Sequence, residues 1–200
     1  MDAAPLAVFR IFFGLLIIVG MVRFYYYGWI EKFYIEPSFF FSYQGFEWVK
    51  PMGEWTYLIF GVCTLSALMV MIGWQYRVAV VTLFLSFTYI ELMDKTNYLN
   101  HYYAVSLLSF LMIFLPANAY FSVDAHRDFR KRFQYIPQWS IRAIQLMLCI
   151  IYFYAGLAKL NSDWLLRAQP LSIWLMGKYD VWLIGDLLQE KWTHYAFSYA

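Results

Sequence analysis

The sequence places a lysine between an aspartate and a threonine, and an asparagine and a histidine follow shortly after. These residues are Asp94, Lys95, Thr96, Asn100 and His101. An amine held at the boundary of a membrane loses hydration, which favours its neutral form, and a neutral amine can act as a base. One interpretation of this cluster is therefore proton-abstraction chemistry at Lys95.

The same cluster also has a purely structural interpretation. In that interpretation Asp94 forms an ion pair with Lys95, and Asn97 or Asn100 caps the helix that follows. The lysine then only extends its ammonium group to the membrane surface. The residue types taken alone slightly favour this structural interpretation, and both stay open at this point.

A second polar cluster, formed by Lys159, Asp163 and Trp164, follows the fifth apolar run of the chain. Lys159 either anchors the end of its helix through favourable helix-end electrostatics or shapes an active site with Asp163 and Trp164. Taken alone, the lysine favours the anchor.

The composition predicts a membrane protein. Apolar residues make up 62% of the 200 residues, aromatic residues 23% and charged residues only 14%, which lies outside the usual range of soluble domains. A net charge of +2 with no aromatic-interleaved basic patch argues against a nucleic-acid partner. Cys63 and Cys149 lie in apolar runs as small hydrophobic residues, and no metal-binding spacing is present.

Five apolar runs, each bounded by charged or turn residues, predict membrane-spanning helices. They cover about residues 5–26, 55–74, 78–93, 102–121 and 141–160. The first run is too long for a signal peptide and lacks a small-residue cleavage site. The expected fold class is therefore an all-α polytopic membrane helix bundle, with a single transmembrane domain over residues 1–200.

The third run explains why Asp94 and Lys95 are expected at the lipid boundary. It has 16 residues between Arg77 and Asp94, which reach about 24 Å, whereas the hydrocarbon core is about 30 Å thick. Asp94 and Lys95 are thereby drawn toward the lipid.

The distribution of charge predicts the orientation. Residues 126–132 are the densest basic stretch and are expected in the cytoplasm by the positive-inside rule. Alternation then places residues 94–101 and the chain from Lys159 onward on the outer face, so both polar clusters face the same side.

Two charged residues within the apolar runs need partners. Arg10 is expected to reach the membrane surface or a lipid phosphate. Glu91, one turn before Lys95, is expected to meet a cation from another helix.

The C-terminal part has a different pattern. Residues 161–190 are amphipathic and are predicted to be interfacial. The apolar residues from Trp192 onward predict the start of a sixth helix, cut off at Ala200.

Four ordered motifs carry a family resemblance over nearly all of the chain. They are Leu6-Ala7-Val8-Phe9-Arg10 with Phe13-Gly14; Asp94-Lys95-Thr96 with Asn100-His101; Ala117-Asn118 with Tyr120 through Asp124; and Tyr152-Phe153 with Ala155-Gly156, Lys159-Leu160 and Asp163-Trp164. With these motifs the chain resembles the vitamin K-dependent γ-glutamyl carboxylase family, whose membrane region is also called the horizontally transferred transmembrane domain. The chain has no N-x-[ST] glycosylation site and a short N-terminus, and in these two features it resembles bacterial members more than animal ones.

The resemblance implies a reaction. The lysine that matches Lys95 is the base that deprotonates reduced vitamin K, which then reacts with O2 to give a strong base and the quinone epoxide. That base removes a γ-proton from a peptide glutamate, which takes up CO2. The resemblance also implies supporting or quinone-binding roles for Asp94, Thr96, Asn100, His101, Tyr102, Lys159, Asp163 and Trp164. No metal is expected.

The resemblance also sets the expected surroundings. The partners are a lipid membrane and a glutamate-containing protein, with the active site on the outer or lumenal face. The expected location is a bacterial inner membrane, or the endoplasmic reticulum membrane in a eukaryote. By this resemblance, the later helices and the outer-face region with which family carboxylases hold their protein substrate are expected to lie beyond this sequence. Two alternatives stay open: quinol epoxidation without carboxylation, and a membrane scaffold or small-molecule carrier without enzymatic activity.

Overall fold

The helices follow the apolar runs, and the computed structural model describes residues 1–177, 182 and 184–199. Within these residues there are helices and no β-strand, which confirms the all-α fold class. The ten α-helices are α1 Ala4–Tyr26, α2 Trp29–Tyr34, α3 Thr56–Ile72, α4 Tyr76–Leu92, α5 Asn100–Phe114, α6 Val123–Arg127, α7 Gln138–Ala158, α8 Ser162–Arg167, α9 Leu171–Leu175 and α10 Lys191–Tyr199.

Three helices in the described part are long and apolar enough to cross a membrane. They are α1, α7, and α3 together with the 3₁₀ turn before it, which make one segment from Gly53 to Ile72. Helices α4 and α5 have 17 and 15 residues and are shorter. The helices support a membrane bundle, and the count of five spans stays a prediction.

The fourth apolar run was predicted too long at its C-terminal end. The helix ends at Phe114, whereas the run predicted a helix to residue 121. Leu115 takes an extended backbone conformation, with φ −88° and ψ 142°. The cause is Pro116, because a proline disfavours helical geometry in the residue before it.

The segment predicted to be interfacial forms short pieces: α8, α9 and a 3₁₀ turn at Leu187–Gln189. Residues 178–181 and 183 of this prediction lie outside the described residues. Helix α10, nine residues long, stands where a sixth helix was expected to start.

The chain divides into two units, residues 1–145 and 146–200. In the first unit α3 packs against both α1 and α4, and α4 packs against α5. Helices α1 and α3 approach closely at Gly14, where a Cβ atom would lie 2.8 Å from both the Ala67 carbonyl oxygen and Met71 Cβ. Only glycine permits this contact.

A buried arginine closes one end of this unit. Arg10, which was expected to reach the membrane surface, is fully buried. Its Nη1 donates to the Ala117 carbonyl oxygen at 3.2 Å and its Nη2 to that of Phe121 at 2.6 Å. We call Arg10, Gly73 and residues 117–124 the Arg10 cluster. The expectation of a lipid contact was wrong because the loop after α5 folds over this side chain.

Asp124 ties the same loop to the start of α4. Its Oδ1 accepts a hydrogen bond from Gln75 N at 2.9 Å, and its Oδ2 accepts from Tyr76 N and Asn118 Nδ2, both at 3.0 Å. Partial burial raises the pKa of this carboxyl, but these hydrogen bonds outweigh it, so the pKa lies below its usual value. Asp124 is therefore an ionised cap for α4.

The Arg10 cluster leaves no room for a side chain at Gly73. Its φ is +69°, and an added Cβ would overlap Arg10 Nη1 and Ser122 Cβ. Gly73→Ala should lower the free energy of unfolding by about 2–4 kcal/mol, from both strain and overlap. The matched control is Gly28→Ala, with φ +64° and nothing within 4 Å of the added Cβ, which should cost only about 1 kcal/mol. Thermal unfolding in detergent compares the two, and equal shifts would contradict the overlap.

Asp124→Asn should destabilise the chain by about 1–2 kcal/mol at neutral pH, because the substitution removes the negative charge that accepts hydrogen bonds from three donors. The effect stays moderate because the site is partly exposed to solvent. The pKa of Asp124 is lower in the folded chain than in the unfolded chain, where it lies near 4. The resulting stability is fully present at pH values above this unfolded-state pKa and is lost as the pH falls through the folded-state pKa. The difference in unfolding midpoint between wild type and variant should thus narrow below about pH 4. Asp128→Asn, whose carboxylate accepts from Arg130 N, is the control with a smaller effect. A pH-independent difference for Asp124→Asn would contradict this account.

Candidate functional site

The turn that carries Lys95 is held by the side chain of Asp94. Asp94 Oδ1 accepts from Thr96 N at 3.0 Å and from Phe41 N at 3.3 Å, while Oδ2 accepts from Thr96 Oγ1 at 2.8 Å. Lys95 N donates to the Phe41 carbonyl oxygen at 2.8 Å. We call residues 94–97 the Asp94 turn, and these hydrogen bonds fix it to the loop between α2 and α3.

The structural interpretation of this cluster is wrong in two of its parts. Within the described residues Asp94 forms no ion pair with Lys95, because its oxygens accept from Thr96 and Phe41. Helix α5 has Leu99 at its N-cap and no side-chain cap, so neither Asn97 nor Asn100 caps it. Asp94 instead caps the 3₁₀ turn Lys95–Asn97.

The ammonium group of Lys95 lies against an aromatic ring. Lys95 is exposed at the surface of the fold, so the protein itself does not bury this side chain. Its Nζ lies 6.0 Å from the centre of the Tyr43 ring, at the outer limit of a cation–π contact. The Tyr43 hydroxyl is buried and has no hydrogen-bond partner within the described residues. Burial raises the pKa of Tyr43, with Glu91 adding to the effect, so the phenol stays protonated near neutral pH.

Glu91 has a different partner from the expected cation. Ser106 Oγ of α5 donates to Glu91 Oε2 of α4 at 2.5 Å. This contact joins two neighbouring helices a short distance from the Asp94 turn. The sequence singled out Glu91 but gave no signal for the serine, because the pairing depends on how α4 and α5 pack.

A groove of about 930 Å³ lies between α1 and α5, with α2 and Phe87 of α4 also contributing to its lining. Its body is apolar and aromatic, as is typical of sites for small molecules. Gly20 of α1 widens it, since nothing lies within 4 Å of the position of an added Cβ.

One end of the groove is polar and lies at the Asp94 turn. Thr96, Asn97, His101, Tyr102 and Arg23 of α1 contribute to its lining. The rings of His101 and Tyr102 are in edge contact, with centres 4.6 Å apart. The structure thus brings three of the predicted site residues, Thr96, His101 and Tyr102, to one groove.

Three other predicted residues of this cluster lie outside the groove lining. Asp94 lies behind the turn, where it is buried, and Asn100 is exposed at the start of α5. Lys95 immediately precedes the lining residue Thr96, but its side chain extends toward Tyr43. Sequence reasoning missed Tyr43 and Phe41, which are remote in sequence and carry no recognisable motif.

The second predicted cluster lies in the second unit. Lys159 Nζ is 5.0 Å from the centre of the Trp164 ring, and Asp163 pairs with Arg167 at 3.2 Å instead of with the lysine. Asn161 caps α8 through hydrogen bonds of 3.0 Å from Asp163 N and Trp164 N. These contacts agree with a helix-end role for Lys159, and a shared site with Lys95 stays a prediction.

The Asp94 side chain should control the order of the turn. Asp94→Ala removes the acceptors of Thr96 N and Phe41 N, each a hydrogen bond to a charged group, so both amides should exchange with deuterium about tenfold faster or more. Asp163→Ala, an exposed carboxylate in the other unit, is the control and should leave these two amides unchanged. Unaltered exchange in Asp94→Ala would show that the backbone contacts alone hold the turn.

The comparisons agree with the membrane-bundle fold and with the motifs. No solved structure matches the chain. The family model described as the HTTM domain matches residues 1–200, and this is the domain of vitamin K-dependent carboxylase-related proteins. With the match covering the whole of its sequence, the chain belongs to the HTTM domain family.

Proposed function

We propose that this chain binds a reduced naphthoquinone of the vitamin K type in the groove between α1 and α5, and that Lys95 is the base toward it. The observation that carries the proposal is that an apolar groove of about 930 Å³ has a polar end, to which Thr96 and Asn97, the two residues directly after Lys95, contribute. The family of the chain supports the same chemistry.

The residues of the groove fit such a ligand. A prenylated naphthoquinone has a long apolar tail and a flat head with two oxygens. The aromatic side chains of α1, such as Phe12 and Phe13, suit the apolar tail. Thr96, Asn97 and His101 offer hydrogen-bonding groups at the end where the head would lie.

Each polar residue has a separate role in this proposal. Asp94 holds the turn, so that the backbone of Lys95 stays at the polar end of the groove. His101 and Tyr102 orient the quinone head. Lys95 accepts a proton after its flexible side chain turns from Tyr43 toward the groove, a change within the freedom of a four-carbon stem.

The complete reaction of the proposal is that of a vitamin K-dependent γ-carboxylase. A bound reduced quinone supplies, with O2, the oxygenation that generates the strong base for taking a γ-proton from a peptide glutamate, and CO2 is then added. This places the polar end of the groove on the outer or lumenal side of the membrane, where a protein substrate reaches it. Oxygenation without carboxylation is the narrower form of the same proposal.

A second candidate function is a quinone-binding or carrier domain without base chemistry. The position of Lys95 favours it, because the ammonium group extends toward Tyr43 and lies outside the groove lining. This candidate keeps the ligand and the groove but assigns no proton transfer to Lys95.

Filling the groove should block the ligand without disturbing the fold. Gly20→Phe places a ring in the groove, so the affinity for vitamin K hydroquinone in lipid nanodiscs should fall about tenfold or more. Gly61→Phe on α3 is the matched control, because nothing lies within 4 Å of either glycine's added Cβ and Gly61 is not a groove residue. Equal binding by both variants would exclude the groove as the ligand site.

Removing the base should abolish turnover and spare binding. Lys95→Ala should lower the rate of quinone epoxide formation by at least about 100-fold, the usual contribution of a general base, while the affinity for the hydroquinone stays near that of wild type. Lys50→Ala, an exposed lysine of the loop before α3, is the control and should retain activity.

The outcomes separate the candidates. Equal epoxide from wild type and Lys95→Ala would exclude Lys95 as the base. Binding without any epoxide from either protein would support the carrier. Mass spectrometry of a co-expressed glutamate-rich peptide then distinguishes the two oxygenating forms, since only the carboxylase adds CO2 to the peptide.

A further inference from the structure

A basic cavity lies at the opposite end of the first unit from the Asp94 turn. It has a volume of about 500 Å³ and lies between the start of α4 and the residues around α6. Arg77 of α4 and two residues of a 3₁₀ turn, Arg130 and Lys131, contribute three cations to its lining. All three side chains are exposed.

The charge of this cavity is only partly balanced by the protein. Asp124 also contributes to the lining, but its oxygens are taken by Gln75 N, Tyr76 N and Asn118 Nδ2. Three cations and this one carboxylate leave two positive charges in the lining.

Each cation keeps donors available for a ligand. Arg77 Nη1 donates to the Ile113 carbonyl oxygen, which leaves four of the five N–H donors of its guanidinium group. Lys131 lies 4.0 Å from Asp128 in an exposed pair, a contact that contributes little. Arg130 has no acidic partner within the described residues.

The wall beside these cations is apolar. Val78, Pro116 and the exposed ring of Phe133 contribute to it. Arg77 lies in the first turn of α4, and Pro116 lies two residues after α5 ends. Cations and apolar groups therefore adjoin where two apolar helices end, which is the depth of lipid headgroups in a spanning bundle.

We propose that this cavity binds a phosphate group, and that its occupant is the headgroup of an anionic membrane lipid. The guanidinium groups of Arg77 and Arg130 hold the phosphate oxygens in the paired geometry that arginine favours. The first segment of an acyl chain lies along Val78 and Phe133. The site replaces the lipid contact expected of Arg10, which is buried in the protein.

The test measures lipid retention by the full chain in bilayer nanodiscs of phosphatidylcholine with phosphatidylglycerol. Native mass spectrometry counts the phosphatidylglycerol bound to wild type and to Arg77→Gln/Arg130→Gln. We expect the affinity of the double variant to fall about tenfold or more. Arg127→Gln/Arg132→Gln removes the same number of positive charges close to this cavity, at residues outside its lining, and should change the affinity by less than about twofold.

Three results would overturn the proposal. Equal losses in the two double variants would show that only the total positive charge near the cavity attracts lipid. Equal retention of phosphatidylcholine and phosphatidylglycerol would remove the anionic specificity. Displacement of phosphatidylglycerol by inorganic phosphate at equal concentration, lost in Arg77→Gln/Arg130→Gln, would show that the occupant is free phosphate. Circular dichroism of each variant checks that the helices are intact.

Discussion

The buried guanidinium group of Arg10 is the constraint on which the first unit depends. A charge removed from both water and lipid is costly unless hydrogen bonds surround it. Arg10 meets this requirement at its two Nη atoms, which donate to the carbonyl oxygens of Ala117 and Phe121, while its Nε has no hydrogen-bond partner within the described residues. Phe121 adopts a φ of +48°, which is rare for a residue with a side chain. The loop after α5 therefore takes its shape from the arginine.

This constraint extends along α4 to the opposite end of the unit. Asp124, a few residues after Phe121, accepts hydrogen bonds from the first backbone amides of α4. A helix of 17 residues is a rod of about 25 Å, so fixing its start also fixes the place where Asp94 emerges. The Ser106–Glu91 hydrogen bond then holds α4 to α5 close to that point. The arginine therefore supports the position of the Asp94 turn without any contact with it.

The sequence predicted well what depends on local pattern and poorly what depends on packing. The starts of α1 and α3 follow from apolar length, and the early end of α5 is readable from Pro116 once the effect of proline on its predecessor is applied. The burial of Arg10 was not readable, because an arginine near the end of an apolar run looks the same whether lipid or a loop covers it. The pinning of Asp94 to Phe41 joins residues 53 positions apart, and no periodicity reports such a contact.

The hydrogen bonds that Asp94 accepts determine whether the Lys95 side chain can move. A carboxylate beside a lysine suggests an ion pair, and an ion pair would hold the ammonium group in place and in its charged form. Here the carboxylate oxygens of Asp94 accept their hydrogen bonds from Thr96 and Phe41. The carboxylate therefore fixes the backbone of the turn, and the Lys95 amine has no carboxylate partner in the described residues. A rigid backbone with an uncommitted side chain suits a base that has to approach a ligand, take a proton and turn away again. The same arrangement explains how the polar end of the groove is built while Lys95 itself stays outside its lining.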